Sequence, residues 1–370
     1  MRPAAAPPFT AEHAPLRAAM RDWIATEIRP HAATWEAAHH FPDALFAHAG
    51  EAGWLGLKYE AEWGGTGGGY LHDAIWAEEL ARCGSGGVAA GLGAHASIAL
   101  PPIWKFGTDA QKERWLRPGI RGEKIAALGI TEPDAGSDVA GIRTRAERVD
   151  GGWVVNGSKM FITNGVRFDL MVTAVKTTAQ GGHHGISFLV IEPGQGVEAR
   201  PIDKLGWNAS DTGLISLEDV YVDEDCLLGP EHEGFKLIMA NFQWERLLMA
   251  LGAVGAMQAG LERAVAHWAD RSPSQSVRHA VAEIAVRLEA GRALTYDALR
   301  RFVGGQDVVA QVTMAKLATQ RAAYDTADRL LDWLGDDPDA QRAARDARLG
   351  PIGGGTDEIM KEILGRTMGL

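Results

Sequence analysis

The chain has 370 residues, 46% of them hydrophobic and 23% charged, a length that supports several packed units and a composition that excludes a disordered or low-complexity protein. A formal net charge of -11 argues against a nucleic-acid phosphate track, which needs concentrated Lys and Arg. Cys83 and Cys226 are too few for a disulfide framework or thiolate metal cluster and point to a reducing cytoplasm; the Pro/Ala-rich start lacks the apolar stretch of a signal peptide, and no run reaches the roughly 18 to 20 apolar residues of a membrane span.

From Thr10 to about Gly122, apolar residues recur at three- and four-residue spacing. Leu16, Met20, Trp23, Ile24 and Ile28 share one such run, which Pro30 stops, so a helical first unit is predicted. The Trp63-Gly64-Gly65-Thr66-Gly67-Gly68-Gly69 stretch reads as a flexible connection, because its glycine spacing does not match a dinucleotide fingerprint. Near Glu123 the period changes to short β-favouring runs at 125–130, 152–155, 170–175, 185–191 and 214–222. Asp150-Gly151-Gly152 and Asn156-Gly157 read as hairpin turns, since these residues tolerate positive φ.

After Gly234 the helical period returns on one long amphipathic element bearing Leu237, Phe242, Leu248, Leu251, Val254 and Met257. Its stripe of small residues, Gly252, Ala253, Gly255, Ala256, Ala259 and Gly260, would let another helix approach closely. Further helices are expected at 277–303, 307–334 and 341–348. The fold class is α+β: an N-terminal helical domain at 1–122, a middle antiparallel β-barrel at 123–228 and a C-terminal four-helix bundle at 229–370.

Four segments carry chemistry. Thr131 opens Thr-Glu-Pro-Asp-Ala-Gly-Ser-Asp (131–138), and Thr163 lies in Lys-Met-Phe-Ile-Thr-Asn-Gly (159–165); each follows an apolar β run, where a hydroxyl can point into a cleft. Glu245, in Trp244-Glu245-Arg246, has the apolar flanks Phe242, Trp244, Leu247 and Leu248, which suit a carboxylate with a raised pKa. Adjacent helical positions diverge by about 100°, so Glu245 can face a cavity while Arg246 faces its mouth. The last segment, Gly353-Gly354-Gly355-Thr356-Asp357-Glu358, opens on three glycines.

These strings make the chain resemble the acyl-CoA dehydrogenase family over nearly its whole length, most closely members whose catalytic base stands on a mid-chain helix. The resemblance implies an FAD-dependent enzyme that converts an acyl thioester to the trans-2-enoyl thioester. Glu245 is then the base, and hydride passes to flavin N5. It implies that the Gly354 backbone N–H polarises the thioester carbonyl, with glycine standing where most relatives carry the carboxylate. Leu128, Ile130, Thr131, Ser137, Phe161 (in a position often held by Trp), Thr163, Gln275, Thr356 and Glu358 map to the cofactor; Ser137, Gln243, Arg246 and Gly355 map to the substrate, with Gln243 where relatives often carry Asp. His95, Ala96, Ser97, Ile98, Leu100 and Pro101 map to the border of the acyl pocket.

Two segments depart from the family pattern. Arg-x-x-Phe-Gly, which reaches a neighbouring subunit's FAD, is replaced by Trp268-Ala269-Asp270-Arg271-Ser272-Pro273-Ser274-Gln275; Gln-x-x-Gly-Gly-x-Gly is replaced around Asp328 to Asp337, with carboxylates expected to repel a diphosphate. The implied partners are an acyl-CoA or acyl-carrier thioester, an electron-transfer flavoprotein and a homo- or hetero-oligomer with a related subunit. The alternatives are a flavin-poor or catalytically silent subunit of a heteromer, a dehydrogenase of carrier-bound acyl groups, and an oxidase that passes electrons to oxygen.

Overall fold

A computed structural model describes residues 7–178 and 182–370. The first unit is helical, from Ala14–Glu27 through Gly69–Leu80 and Gly86–Ala94 to Arg117–Ile120. The glycine stretch after Trp63 is a loop, but not a free one. The Thr66, Gly67 and Gly68 amides donate back to the carbonyls of Gly56, Tyr59 and Leu57 at 2.9–3.0 Å, and a Cβ on Gly65 would lie 2.1 Å from the Tyr59 carbonyl oxygen. Absence of side chains here permits backbone packing rather than flexibility.

Among the described residues eight strands follow: β1 (Ala126–Gly129), β2 (Arg145–Val149), β3 (Gly152–Ile162), β4 (Leu170–Lys176), β5 (Ile186–Ile191), β6 (Val197–Pro201), β7 (Gly213–Asp223) and β8 (Leu227–Leu228). They form one sheet in the order β6-β7-β3-β2-β4-β5-β8, with β1 on β4. Pairing is antiparallel except between β1 and β4 and at the single β2–β4 pair Arg145–Lys176, which are parallel. β2 and β6 escape sequence reading because their side chains are mostly exposed and carry no apolar run. Asp150-Gly151 turns the β2–β3 hairpin as expected. Asn156-Gly157 does not turn: it lies inside β3 at a register shift against β7, where a Cβ on Gly157 would meet Thr144 at 2.5 Å.

Three long helices, Gly234–Trp268, Gln275–Val303 and Val309–Leu334, pack against one another. The helix expected at 341–348 starts earlier, at Pro338, because Asp337 accepts from the Asp339 and Ala340 amides as an N-cap. One core joins the sheet to the 99–120 helical segments; another joins the first unit to the bundle through Trp244, Leu247, Leu251 and Leu299. The long helix thus touches both halves of the molecule. Its small-residue stripe does admit a close neighbour, since a Cβ on Gly255 would lie 2.1 Å from the carbonyl oxygen of Glu78 in helix Gly69–Leu80. Gly255→Ala is therefore expected to force the helices apart and cost about 1–3 kcal/mol, read as a lower urea midpoint at unchanged slope.

Candidate functional site

The long helix is set in rotation by Trp244, 1% exposed, whose ring packs against Tyr70 at 4.5 Å and Phe302 at 5.4 Å between centroids. With Trp244 fixed inward, the next residue is directed to a neighbouring face. Glu245 is half-buried there, and its Oε2 is sealed from solvent without a hydrogen-bond partner among the described residues. Burial pushes its carboxyl from an ordinary 4.5 up to about 7, against the opposing pull of the Arg246 guanidinium. Such a group titrates near neutrality, as a general base for a weak carbon acid requires.

Arg246 was expected at a cavity mouth. It is instead buried at 9% exposure, with Nε unpartnered among the described residues and its guanidinium 5.8 Å from the Phe242 ring centroid. Burial lowers its pKa, and its charge is felt at Lys316 of helix Val309–Leu334. The close packing of that helix against the long one turns this position inward. Gln243 is half-buried on the same turn.

The glycine loop arrives at this helix face from the far end of the chain. Gly354 has φ +63° and Gly355 φ +95°, conformations that glycine adopts without the strain a Cβ brings. A Cβ on Gly354 would lie 3.0 Å from Cγ of Met249, one helical turn beyond Glu245 on the same face. Gly354 thus rests on the helical turn that follows Glu245 on the same face. Among the described residues the Gly354 N–H meets no acceptor, so it is a free donor. Helix Val309–Leu334 secures the arrangement twice: Gln320 Nε2 donates to the Met249 carbonyl at 2.6 Å, and Lys316 Nζ donates to the Gly355 carbonyl at 2.6 Å.

The sheet brings the two threonine segments together. The Met160 amide donates to the Thr131 carbonyl at 2.8 Å, joining the loop after β1 to the end of β3, and both threonines are half-buried. Phe161 stands at φ +59° and is 60% exposed, an aromatic face turned outward by the β3 irregularity. Leu128 is half-buried, Ile130 is 8% exposed and Ser137 is exposed. Within the sheet this gives a polar edge beside an open aromatic face, side-chain chemistry suited to the ring and pyrimidine edge of an isoalloxazine, while the orphaned Glu245 and Arg246 atoms offer buried polar groups on the long helix.

Sequence reasoning gave no role to Glu132 and Lys159, although both lie inside the motifs. Lys159 Nζ donates to Glu132 Oε1 at 2.8 Å and to the Ile130 carbonyl at 3.2 Å, while the Arg143 and Thr144 amides donate to the same carboxylate. Against the effect of burial, Lys159 holds the Glu132 carboxyl below the usual range. This buried pair fixes the 131–138 loop to β3.

A π-helical turn, His95–Ala99, connects the sheet to the long helix: the Ala126 amide donates to His95 Nδ1 at 2.9 Å, and Asn241 Nδ2 donates to the Ile98 carbonyl at 3.4 Å. His95 Nε2 bonds the Gly119 carbonyl, so both ring nitrogens are engaged and this is a structural histidine. Ser97 turns away to bond Asp73 at 2.9 Å. Thr356 caps helix Asp357–Thr367 and Glu358 is exposed at its start. Gln275 is exposed beyond the far end of the long helix, about 35 Å along it from Glu245, and shares no site with it within one chain.

The two departing segments meet each other: Trp268 and Trp333 stand edge to face with centroids 6.1 Å apart. The carboxylates expected to repel a diphosphate are partly neutralised within the chain, Asp328 by Arg348 at 2.7 Å and Asp337 by Arg263.

Comparison with known proteins follows the same outline. Models of the acyl-CoA dehydrogenase N-terminal, middle and C-terminal domains match residues 10–123, 127–220 and 232–369. The chain is 34% identical to the mitochondrial isovaleryl-CoA dehydrogenase of Arabidopsis thaliana, over 92% of this chain and 87% of that protein. It is also 34% identical to the mitochondrial long-chain specific acyl-CoA dehydrogenase of Mus musculus, over 97% and 86%. The crystal structure of acyl-CoA dehydrogenase from Geobacillus kaustophilus superposes with a TM-score of 0.95 at 34% identity, covering 99% of this chain and 100% of that one.

Proposed function

Because the chain belongs to the acyl-CoA dehydrogenase family of FAD-dependent oxidoreductases, we propose that it forms the trans-2-enoyl thioester from a branched or long acyl-CoA, with Glu245 as the base. The observation that carries this reading is the sealed, unpartnered carboxylate of Glu245 on the long helix, with the loop that bears the free Gly354 N–H resting on Met249 one turn further along the same face. Thr131, Thr163 and Phe161, with Leu128, Ile130 and Ser137 beside them, would hold the FAD, which when bound would supply the acceptor for a hydride from the substrate's β carbon.

Glu245 takes the α proton, and breaking that C–H bond leaves its electron pair on the thioester as enolate character. The Gly354 amide donates to the thioester oxygen where that charge collects. When the β C–H bond breaks, its electron pair would leave with the hydride, and the pair left by the α proton becomes the new C=C bond. An acyl chain seated over Glu245 excludes water and keeps the carboxyl poised near neutrality. Arg246, buried beside Lys316, supplies positive charge behind Glu245, and Gly355, Gln243 and Ser137 lie where the thioester and its pantetheine arm would run. An electron-transfer flavoprotein is the expected electron acceptor.

An anaerobic titration of the FAD-loaded protein tests this. Isovaleryl-CoA and long-chain acyl-CoAs are expected to bleach the flavin band within one turnover. Bleaching only by carrier-loaded thioesters would move the substrate class, and none by any thioester would leave the silent-subunit reading.

A second reading is favoured by the contact between the two departing segments, Trp268 on Trp333. That self-contained patch replaces what would reach a neighbour's FAD, so a related chain would supply it in a heteromer with flavin at half the sites. Full FAD occupancy in the lone homo-oligomer would end that reading.

A further inference from the structure

We propose that Lys316 is a positioning residue for catalysis, holding the free Gly354 amide in register with Glu245 and adding fixed positive charge beside the forming enolate. This rests on the reading of Glu245 and Gly354 given above. Lys316 is 0% exposed, and its one direct hydrogen bond among the described residues goes to the Gly355 carbonyl at 2.6 Å. A buried ammonium spent on a single neutral carbonyl is a costly arrangement for stability alone. Burial lowers it to about 8, with Asp357 and Glu358 opposing and Arg246 adding to the drop.

Its placement gives that cost a purpose. Two successive left-handed glycines leave the loop without side-chain anchors of its own, so hydrogen bonds to its backbone must set its conformation. The contacts that tie it down include the Ile352 and Gly353 amides on the Leu349 carbonyl at 2.8 and 2.9 Å, the Asp357 amide on the Pro351 carbonyl at 2.9 Å, the Thr356 cap, and Lys316. Gly354 is thus held on one side by a local turn at Gly353 and on the other by the Lys316 side chain at Gly355. Gln320, one turn further along the same helix face, bonds the Met249 carbonyl, so one helix fixes both the loop and the turn of the long helix against which Gly354 rests. Two buried cations, Lys316 and Arg246, then lie near the loop, and Asp357 is bound instead to Arg321 at 2.7 Å. Fixed positive charge in a low-dielectric setting favours the charged form of the substrate over its neutral form.

The test uses the FAD-loaded protein and a 3-thia-acyl-CoA, which has an acidified α C–H and cannot be dehydrogenated. Its enolate beside oxidised flavin gives a long-wavelength charge-transfer band whose growth with pH reports the ligand's apparent acidity. Lys316→Met is expected to move the midpoint of that band up by about one pH unit, a tenfold loss of enolate stabilisation, with the dissociation constant within about threefold of wild type. Lys316→Gln, which keeps a donor and replaces the apolar variant in the test if that one fails to fold, is expected to shift it in the same direction. Lys316→Arg, which keeps donor and charge, is expected to restore most of the wild-type midpoint. A purely structural lysine would change yield and melting temperature and leave the midpoint unmoved. An unchanged midpoint in Lys316→Met or Lys316→Gln, with a normal wild-type band, overturns the inference alone. A wild-type protein that binds the ligand without any band overturns the reading of Glu245 and Gly354, and this inference with it.

Discussion

Glu245→Gln is expected to slow thioester-dependent flavin bleaching by about 10³-fold while leaving FAD content and thioester affinity nearly unchanged. Glutamine keeps the size and polarity of the side chain but cannot take the α proton, so the loss falls on kcat rather than KM. Stopped-flow absorbance under anaerobic conditions measures it directly; a variant that bleaches at the wild-type rate would remove Glu245 from the mechanism. The pH dependence follows from the same burial. The carboxyl is raised to about 7, so the basic form is the minority below neutrality, and kcat/KM should climb tenfold per pH unit until it levels above pH 7.

That carboxyl also has a stability signature with the opposite sign to its catalytic value. Its folded-state pKa is above the unfolded one, so folding disfavours the charged form. Wild type therefore loses stability as pH rises from 4.5 toward 7, by up to about 3 kcal/mol. Glu245→Gln carries no such cost. It is expected to unfold at higher temperature than wild type at pH 8 and at nearly the same temperature at pH 4, a crossover that a surface glutamate would not produce.

The second large effect is predicted behind the site rather than in it. Lys58 and Asp73, 4% and 2% exposed, meet at 2.6 Å where the segment before Trp63 packs on helix Gly69–Leu80. Lys58 also donates to the Ala96 carbonyl at 3.1 Å, which accepts in addition from Tyr59 Oη at 2.5 Å, while Ser97 Oγ donates to the other Asp73 oxygen. Asp73→Asn leaves a buried ammonium without its counter-charge and is expected to cost about 3–5 kcal/mol. Burial depresses the Lys58 ammonium even with Asp73 in place, so the variant should regain stability as pH rises toward 10.5, the ordinary lysine value, because the folded amine loses its proton while the unfolded one still holds it. Lys58→Met in the Asp73→Asn background should recover much of the loss. If Asp73→Asn melts like wild type across this range, the pair is not the anchor described. Because Lys58 also lies 5.9 Å from the Trp244 ring and the network ends in the π-helical turn, the weakened protein should show reduced turnover as well.

The local patterns that the sequence displays openly are those with a short physical range. Helical period over the first 120 residues and after Gly234, the apolar runs of β1, β4, β5 and β7, and the Asp150-Gly151 turn all depend on neighbours a few positions away, and all are seen. Asn156-Gly157 carries the same local turn preference and yet runs straight, because β7 pairs on both sides of it and Thr144 packs where a Cβ would stand. β2 and β6 have no apolar run to read. The candidate base was visible because Glu245 has apolar flanks and Gly354 lacks a side chain, two features legible as single residues within strings of family character.

What the sequence by itself determined was the order of helical, sheet and helical units and the short list of residues able to do the chemistry. The tertiary structure decided which of them meet and in what state. Gly354 rests on Met249, Lys316 holds Gly355, Arg246 turns inward beside Lys316, and Asp73 neutralises Lys58. Each is a contact between distant parts of the chain, set by how helices pack rather than by local preference. The raised pKa of Glu245 belongs to the same class, since it comes from water excluded by residues far away in sequence.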